Sequence, residues 1–302
     1  PPASDGATGA VTASGTPTPT PTATAPPAEP VTIVLVSDLH CNVGMAPVIR
    51  ALVEASGADM VVDAGDTTIN GTSVEEQCVR TFADAVPDGV ALVAVPGNHD
   101  SAVTEAAYAK AGAVVLDGKP RTVDGIRFFG DADPNQTLFG QSASTRHETE
   151  QQAGARIAKD VCDAGDVDVL LIHNPRVAAA SLDSGCIPAS LSGHLHVRTD
   201  PVQVGEGIRY ISSSTAGAQA GQPTLGPLHG TAELTVLRWD PTDRRFTSWQ
   251  LVSVSTSATA RVDDPQPWPT VQPAARAAAP DGTPGPTPTV DATAVEQPAG
   301  GD

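Results

Sequence analysis

Short runs of apolar residues recur along the chain, and each ends at a polar or glycine-containing turn. Five of them are rich in Val, Ile, Leu and Ala, which is typical of short strands buried on both faces. They span residues 32–37, 60–64, 91–95, 167–172 and 189–192. Between them we predict helices at residues 45–56, 74–85, 104–111 and 149–162. This alternation predicts a layered α/β fold with right-handed crossovers.

The pattern changes after residue 111. Strands are predicted at residues 114–116, 121–123 and 126–129, and the turn pairs Asp117-Gly118 and Asp124-Gly125 between them are typical of hairpins. Later strands are predicted at residues 202–204, 208–212, 231–238 and 245–254, and we expect these four to complete a second sheet. Two sheets packed face to face, with helices outside, would bury a core of ordinary size for a domain of about 230 residues.

Composition sets the expected limits of this domain. The chain has 302 residues, and both of its ends are rich in Pro, Thr and Ala without an apolar face to bury. We expect residues 1–30 to form a disordered, polyproline-like Pro/Thr-rich spacer and residues 31–260 to form one domain. Residues 261–302 are expected to be a disordered Pro/Ala/Thr-rich tail.

The formal net charge of the chain is −18 at pH 7. Nucleic-acid binding usually requires a basic stripe that displaces counterions, and the sequence contains no such stripe. We therefore expect no nucleic-acid partner, and the acidity mainly indicates a soluble surface.

The four cysteines lack the CxxC spacing of a thiolate zinc site. Three disulfide connectivities are open, and we favour Cys41 with Cys78 and Cys162 with Cys186 from their places relative to the predicted helices and strands. Four buried free thiols in a cytoplasmic protein remain the alternative. The Pro/Thr-rich flanks favour an extracytoplasmic or cell-surface protein, with a cytoplasmic location left open.

The longest apolar runs are strand-sized and far short of the roughly 20 residues needed to span a membrane. No signal peptide is visible, and the chain opens on Pro1 instead of Met. We expect a processed product. The initial spacer would suit a domain held away from a membrane by an anchor outside this chain.

Polar motifs follow the five buried runs, where ligands collect in α/β folds. In chain order they are Asp38-Leu39-His40, Gly65-Asp66, Gly97-Asn98-His99-Asp100, His173 and Gly193-His194-Leu195-His196. Taken singly, most are equally well explained as turns, helix caps or buried histidines. Their order and their shared place at strand ends predict one common site.

The residue types in these motifs suit borderline and hard divalent metal ions, which prefer imidazole and oxygen ligands. Asp38 and His40 are two residues apart and can turn toward one ion, and the two carboxylate oxygens of Asp66 could bridge two ions. His99 is adjacent to Asn98 and cannot easily bind the same ion, so we predict a separate role. Beside Asp100, its ring could be kept charged and oriented to donate a proton.

The motif set D-x-H, G-D, G-N-H-D, H and G-H-x-H, over residues 33–197, resembles that of the calcineurin-like metallophosphoesterases. The resemblance implies a four-layer αββα sandwich of two mixed β-sheets flanked by helices, with a dinuclear centre of manganese, iron or zinc. It implies one ion on Asp38, His40 and His196, and a second on Asn98, His173 and His194, with Asp66 as the bridge. It also implies that His99 contacts the substrate phosphate and protonates the leaving oxygen, oriented by Asp100.

The implied reaction is hydrolysis of a phosphomonoester or phosphodiester by a hydroxide shared between two ions, with His99 as the general acid. The identity of the ester is not predicted. Asn70, near the bridging Asp66, is assigned no role beyond a turn. Arg198 could contact a phosphate oxygen and His229 could line the cleft, but a surface salt bridge and an exposed loop histidine are simpler explanations.

Two other functional classes remain open from the sequence. The chain could be a metal-stabilised binding module without turnover. It could also be a surface-displayed domain in which the Pro/Thr-rich flanks matter most.

Overall fold

The computed structural model describes residues 29–138, 141–219, 222 and 224–272. Residues 1–28 of the predicted spacer and residues 273–302 of the predicted tail lie outside this described part. Within the described residues, no helix is long and apolar enough to cross a membrane.

The first sheet combines four parallel strands with an antiparallel extension. Its strands are β1 (Val31–Val36), β2 (Met60–Asp63), β3 (Ala91–Ala94), β4 (Val114–Val115), β13 (Ala232–Asp240), β14 (Arg245–Val254), β15 (Ala260–Val262) and β16 (Gln266–Pro267). The order is β15-β14-β13-β1-β2-β3-β4, with β16 also paired to β14. Strands β1 to β4 run parallel, and β13 lies antiparallel to β1.

The second sheet is also mixed. Its strands are β5 (Arg121–Val123), β6 (Ile126–Phe129), β9 (Val169–Leu171), β10 (Ala189–Ser192), β11 (Thr199–Val204) and β12 (Gly207–Ile211). The order is β11-β12-β10-β9-β6-β5. The four central strands run parallel, and both edge strands are antiparallel to their neighbours.

Five α-helices and one separate hairpin complete the described structure. The helices are α1 (Ala46–Ser56), α2 (Glu76–Ala83), α3 (Ala102–Lys110), α4 (Glu150–Ala164) and α5 (Pro175–Asp183). Single 3-10 turns at Val43–Met45 and Ser73–Glu75 precede α1 and α2, and the hairpin pairs β7 (Asn135–Leu138) with β8 (Gln141–Ser144). The helices begin at local signals: Thr149 and Gln152 form a capping box before α4, and α5 starts at Asn174 followed by Pro175.

Alternating side chains of the strands are divided between two apolar layers. In β1, Ile33 and Leu35 point into the main core between the two sheets, where they join Phe128 and Leu171 of the second sheet. Val34 and its outward neighbours pack instead against α1 and α2. On the other side, α4 and α5 cover the outer face of the second sheet. The predicted four-layer αββα sandwich of two mixed sheets is therefore confirmed.

The distribution of the late strands between the sheets differs from the prediction. Strands β11 and β12 belong to the second sheet as expected, but β13 and β14 join the first sheet beside β1. Asp124-Gly125 does connect the hairpin of β5 and β6, whereas Asp117-Gly118 connects strands of different sheets. Helix α5 and the β7–β8 hairpin were not predicted. Pairing between distant segments is not encoded in local patterns, so the wrong sheet for β13 and β14 is an error of topology, whereas α5 and the hairpin are missed elements.

Both predicted disulfides are present, Cys41–Cys78 and Cys162–Cys186. The first joins the loop after β1 to α2, and the second joins α4 to the turn before β10. The predicted alternative of four free thiols is wrong, because the structure contains no free cysteine.

The predicted domain boundary at residue 260 is wrong, because the ordered chain continues through β15 and β16. Trp268 is only 6% exposed and lies in the core between the sheets. Its ring is 4.7 Å from that of Phe246 and 6.3 Å from that of Tyr210, measured between centroids. A single aromatic residue in a Pro-rich segment thus belongs to the core between the sheets.

The burial of Trp268 predicts the outcome of a stability test. Trp268→Ala should lower the free energy of unfolding by about 3–5 kcal/mol, since it leaves a cavity among large aromatic rings. A chain ending after residue 260 should lose at least as much, while a chain ending after residue 272 should match the full chain. Urea unfolding measures all three, and full stability of the chain ending at 260 would contradict the revised boundary.

Candidate metal centre

The loops that follow β1, β2, β3, β9 and β10 meet at one edge of the sandwich. Short backbone hydrogen bonds hold them together: the Asp38 N–H donates to the Gly65 carbonyl (2.8 Å) and the His40 N–H to the Asp66 carbonyl (2.9 Å). The Gly193 N–H donates to the His173 carbonyl at 3.0 Å. The predicted motifs are therefore brought together at the carboxyl ends of the parallel strands, as expected for this fold class.

Several of these residues have left-handed backbone conformations, which L-residues seldom adopt. Their φ angles are 53° at Asp38, 41° at His40, 58° at Asp66, 72° at His194 and 53° at His196. Such a conformation turns the chain sharply where it leaves a strand, so that neighbouring side chains can face the same point. Backbone strain of this kind is concentrated at functional sites.

Two glycines allow the loops to approach closely. A Cβ atom at Gly97 would overlap the carboxylate of Asp66, and one at Gly193 would overlap Ser37 and the carboxylate of Asp38. These positions therefore require glycine because of the close contact between loops.

The first group of possible ligands contains Asp38, His40 and His196, whose ligand atoms lie within 4.8 Å of one another. Asp38 Oδ1 is 3.2 Å from His196 Nε2, which in turn is 3.1 Å from His40 Nε2. Asp38 is fully buried and accepts hydrogen bonds from the Ser37 hydroxyl (2.6 Å) and the His194 N–H (3.0 Å).

Asp66 lies between this group and a second one. Its Oδ2 is 3.1 Å from His173 Nε2 and 3.9 Å from His40 Nε2, while its Oδ1 accepts the His99 N–H at 2.8 Å. Asp66, His173 and His194 form a second set of ligand atoms within 4.8 Å. The predicted bridging residue therefore has one oxygen facing both groups.

Asn98 completes the second group. Its Oδ1 is 2.9 Å from His194 Nδ1, and its Nδ2 donates to the hydroxyl of Thr137 at 2.9 Å. The Thr137 N–H donates to the Asn98 carbonyl. The unpredicted β7–β8 hairpin thus fixes the orientation of the amide, because the Nδ2 atom is engaged and the oxygen is left facing the histidines.

Backbone carbonyls fix the rings of three histidines. His173 Nδ1 is 2.7 Å from the Ala64 carbonyl, His99 Nδ1 is 2.6 Å from the Ile69 carbonyl, and His40 Nδ1 is 3.3 Å from that of Thr68. Because a carbonyl oxygen can only accept, Nδ1 carries the proton in each ring, and Nε2 of His40 and His173 is left toward the centre. Such outer contacts are typical of metal-binding histidines.

The sequence did not indicate these orienting contacts. The carbonyls of Thr68 and Ile69 hold the rings of His40 and His99, and the Nδ2 atom of Asn98 is held by Thr137. The Ile69 and Asn70 N–H groups donate to the carboxylate of Glu75, which anchors this segment. The turn assigned to Asn70 thus belongs to a loop that orients two histidine rings. No sequence signal identified these backbone contacts.

The pKa shifts of the proposed ligands fall into two groups. Burial would raise the pKa of Asp66, but the neighbouring charge and hydrogen bond of His173 outweigh it and lower the pKa below its ordinary value. Burial lowers the pKa of His40, and burial followed by the charge of His173 lowers the pKa of His194 to about 4. Burial would lower the pKa values of His173 and His196, but Asp66 beside His173 and Asp38 beside His196 raise them above the ordinary value of histidine. Metal ions bind neutral imidazoles, so a bound cation would displace a proton from these two rings.

The spacing of the histidine ring nitrogens also suits bound metal ions. His40 Nε2 and His196 Nε2 lie 3.1 Å apart, and His194 Nδ1 lies 3.3 Å from His173 Nε2, beside the buried carboxylates Asp38 and Asp66. Ring nitrogens that converge in this way around buried negative charge are matched by a cation between them.

The relation between His99 and Asp100 differs from the prediction. The His99 ring is held by the Ile69 carbonyl, and a ring nitrogen lies within 4.8 Å of ligand atoms of His40 and Asp66. The carboxylate of Asp100 instead accepts the N–H groups of Asp66 (2.8 Å), Thr68 (3.0 Å) and Gly97 (2.9 Å). The predicted orienting contact from Asp100 to His99 is wrong, because this buried carboxylate joins the loops after β2 and β3.

Arg198 and His229, the two other candidate residues, have the simpler roles of a salt-bridge residue and an exposed loop histidine. Arg198 forms salt bridges with Asp200 and Glu233, and His229 is exposed on its loop. Among the described residues, neither forms a hydrogen bond or salt bridge with the seven predicted ligands.

Two facing mixed sheets, with carboxylate and histidine groups at the carboxyl ends of their strands, define an α/β protein of the metallophosphatase fold. Residues 31–226 match the family model of the calcineurin-like phosphoesterase superfamily domain, so the chain belongs to that superfamily. No curated protein matches the chain by sequence.

Solved structures support the fold. The protein TT1561 from Thermus thermophilus is similar with a TM-score of 0.52 and 12% identity, covering 75% of this chain and 99% of its own. A phosphatase from Mycoplasma pneumoniae gives a TM-score of 0.50 and 12% identity, covering 78% of this chain and 95% of its own. At these identities the likeness concerns the fold alone.

The contacts of Asp100 predict a structural role. Asp100→Ala should lower the free energy of unfolding of the metal-free protein by about 3 kcal/mol or more, because several buried N–H groups lose a charged acceptor. His99→Ala and the exposed Asp117→Ala should each cost less than about 1 kcal/mol. Urea unfolding decides between the roles: if Asp100→Ala is as stable as Asp117→Ala, the carboxylate does not hold the loops.

Proposed function

We propose that the chain is a dinuclear metal-dependent hydrolase of phosphomonoesters or phosphodiesters. The observation that supports this most directly is the arrangement of seven side chains in two groups, with Asp66 near both and Asn98 Oδ1 next to His194 in the second. Asp38, His40 and His196 would hold one ion. Asn98, His173 and His194 would hold the other, with Asp66 between them.

Manganese, iron and zinc all suit this mixed imidazole and oxygen set. When bound, two such ions supply positive charge for the phosphoryl oxygens and lower the pKa of a coordinated water. The role of the protein is to fix the ligands. The carbonyls of Ala64 and Thr68 set the rings of His173 and His40, and Thr137 sets the amide of Asn98.

We assign to His99 a direct action on the substrate. Its N–H is bound to Asp66 and its Nδ1 to the Ile69 carbonyl, so its position relative to the bridging residue is fixed from two sides. Because Nδ1 already carries a proton, a second proton on Nε2 would make the ring an imidazolium, which would pass that second proton to the leaving oxygen and become neutral. Donation of that proton would make an alkoxide or phenoxide a better leaving group, and such general acids contribute about 10² to 10⁴ in rate.

This assignment predicts that substitutions of the metal ligands and of His99 have different effects on turnover and metal content. Asp66→Ala and Asn98→Ala should abolish turnover of an aryl phosphoester and lower the metal content of the purified protein. His99→Ala should lower kcat by about 10² to 10⁴ with metal content retained. His147→Ala, a substitution of an exposed histidine, serves as the matched control.

Elemental analysis and steady-state kinetics on the same preparations separate the outcomes. Loss of metal in His99→Ala would make His99 a ligand instead of a proton donor. Full metal content without hydrolysis of any phosphomonoester or phosphodiester in the wild-type protein would favour a metal-stabilised binding module.

We also propose that the protein works outside the cytoplasm. All four cysteines are paired, and such bonds persist mainly in oxidising compartments. A thiol assay on the denatured, unreduced protein from its native cell should detect no free thiol, and fractionation should recover it outside the cytoplasm. Cytoplasmic recovery with four free thiols would disprove this proposal.

A further inference from the structure

The Cys41–Cys78 disulfide lies directly beside the first group of proposed ligands. Cys41 follows His40 in the chain, is buried, and donates its N–H to the Thr67 carbonyl at 2.8 Å. The neighbouring His40 N–H donates to the Asp66 carbonyl at 2.9 Å. The loop after β1, which carries two of the three ligands of this group, is therefore hydrogen-bonded to the loop after β2 and joined to α2 by a covalent bond.

The backbone of this loop must be held in place by its surroundings. The φ angles of Asp38, His40 and Cys41 are 53°, 41° and 57°, so most of this short stretch has a left-handed conformation. Residues with a side chain seldom adopt this conformation, and it persists only where neighbouring structure fixes it. Without a restraint at Cys41, we expect the loop to relax and to carry Asp38 and His40 away from His196.

The other end of the bond is anchored in the fold. Cys78 lies in α2, where the side chains of Val79 and Phe82 are buried. Glu75, directly before α2, accepts two backbone N–H groups of the loop after β2, and its Oε1 lies 3.9 Å from Cys41 Sγ. The disulfide therefore connects the strained loop to a helix whose first turn also holds the loop that carries the bridging carboxylate.

The ligands of the second group depend on other segments. Asn98, His173 and His194 follow β3, β9 and β10, and no cysteine lies in these loops. The bond between Cys162 and Cys186 joins α4 to the turn before β10, at the amino end of that strand, whereas His194 follows its carboxyl end. The two disulfides thus differ in their relation to the metal centre.

We propose that the Cys41–Cys78 disulfide is a positioning element of the first metal position, so that this bond and an ion on Asp38, His40 and His196 stabilise each other. The inference rests on the proposed function, since it takes the two metal positions from it. Coupling of two equilibria is reciprocal. If reduction of the bond weakens binding of this ion tenfold, the bound ion must lower the reduction potential of the bond by about 30 mV.

The first test measures the reduction potentials of both disulfides in the full wild-type chain at pH 7. The chain is equilibrated in mixtures of reduced and oxidised dithiothreitol, with and without saturating manganese, a hard ion that binds thiols weakly. Each reduction transfers two electrons and two protons from the dithiol to a pair of cysteines and leaves the cyclic disulfide of dithiothreitol. Alkylation and peptide mass analysis then report each pair separately.

Manganese should lower the potential of Cys41–Cys78 by about 30 mV or more and leave that of Cys162–Cys186 unchanged. No shift at Cys41–Cys78 would overturn the inference. An equal shift at both bonds would also overturn it, because the ion would then stabilise the whole fold and not this loop in particular.

The second test removes each bond by substitution. Cys41→Ala with Cys78→Ala should retain one manganese ion at the wild-type affinity and bind the other at least about tenfold more weakly, as measured by calorimetry. Cys162→Ala with Cys186→Ala is the matched control and should bind both ions as the wild-type chain does. Unchanged affinities in the first variant, or equal weakening in both variants, would contradict the inference. If the first variant does not fold, the potentials of the wild-type chain decide.

Hydrolysis assays on the same preparations separate this inference from the proposed function. The substrates are p-nitrophenyl phosphate and bis-p-nitrophenyl phosphate, a monoester and a diester. A selective shift in the potential of Cys41–Cys78 without hydrolysis of either ester would contradict the catalytic proposal and support the inference. Hydrolysis by a wild-type chain that binds two ions without any shift would support the catalytic proposal and overturn the inference.

Discussion

Buried negative charge at the carboxyl ends of the strands is the constraint on which the rest of the site depends. Asp38 and Asp66 are almost fully buried, and an isolated carboxylate in such surroundings is strongly disfavoured. Each is partly compensated by backbone N–H donors from another loop, His194 for Asp38 and His99 for Asp66. The remaining oxygen positions face histidine rings, which explains why the same arrangement suits cations between them.

The side chains of the candidate metal centre can face one point only because the loops adopt unusual backbone conformations. Left-handed residues at Asp38, Asp66 and His194 turn the chain just beyond a strand, and the close approach at Gly97 and Gly193 has no room for a side chain. Asp100 joins the loops after β2 and β3, and the Cys41–Cys78 disulfide ties the loop after β1 to α2. The rigid sandwich thus supports a strained edge, which is a common division of roles in enzymes.

The sequence predicted four of the five described helices, most of the strands and the meeting of the five polar motifs at one edge, because these features depend on local patterns. Apolar runs that end in His, Asp and Asn identified the strands and the edge where the site lies. It did not predict that β13 returns beside β1, since this pairing joins segments about 200 residues apart. Thr137 was also missed, because its contact with Asn98 depends on a hairpin whose sequence has no strong turn signal.

The contacts of Asp100 show that two residues adjacent in sequence need not contact each other through their side chains. Its place next to His99 favoured a direct contact, but the chain turns between the two residues and directs the carboxylate to the backbone of another loop. The carbonyl of Ile69 orients the His99 ring. Because every residue has a backbone carbonyl, the residue type at position 69 could not predict this contact. Sequence motifs can therefore identify which residues share a site better than what each one contacts.

The central claim is that one carboxylate joins two metal sites. Anomalous diffraction from crystals of the manganese-loaded protein tests it most directly. We expect two anomalous peaks, one among Asp38, His40 and His196 and one among Asn98, His173 and His194, with Asp66 in contact with both. A single peak, or a second peak without contact to Asp66, would contradict the account.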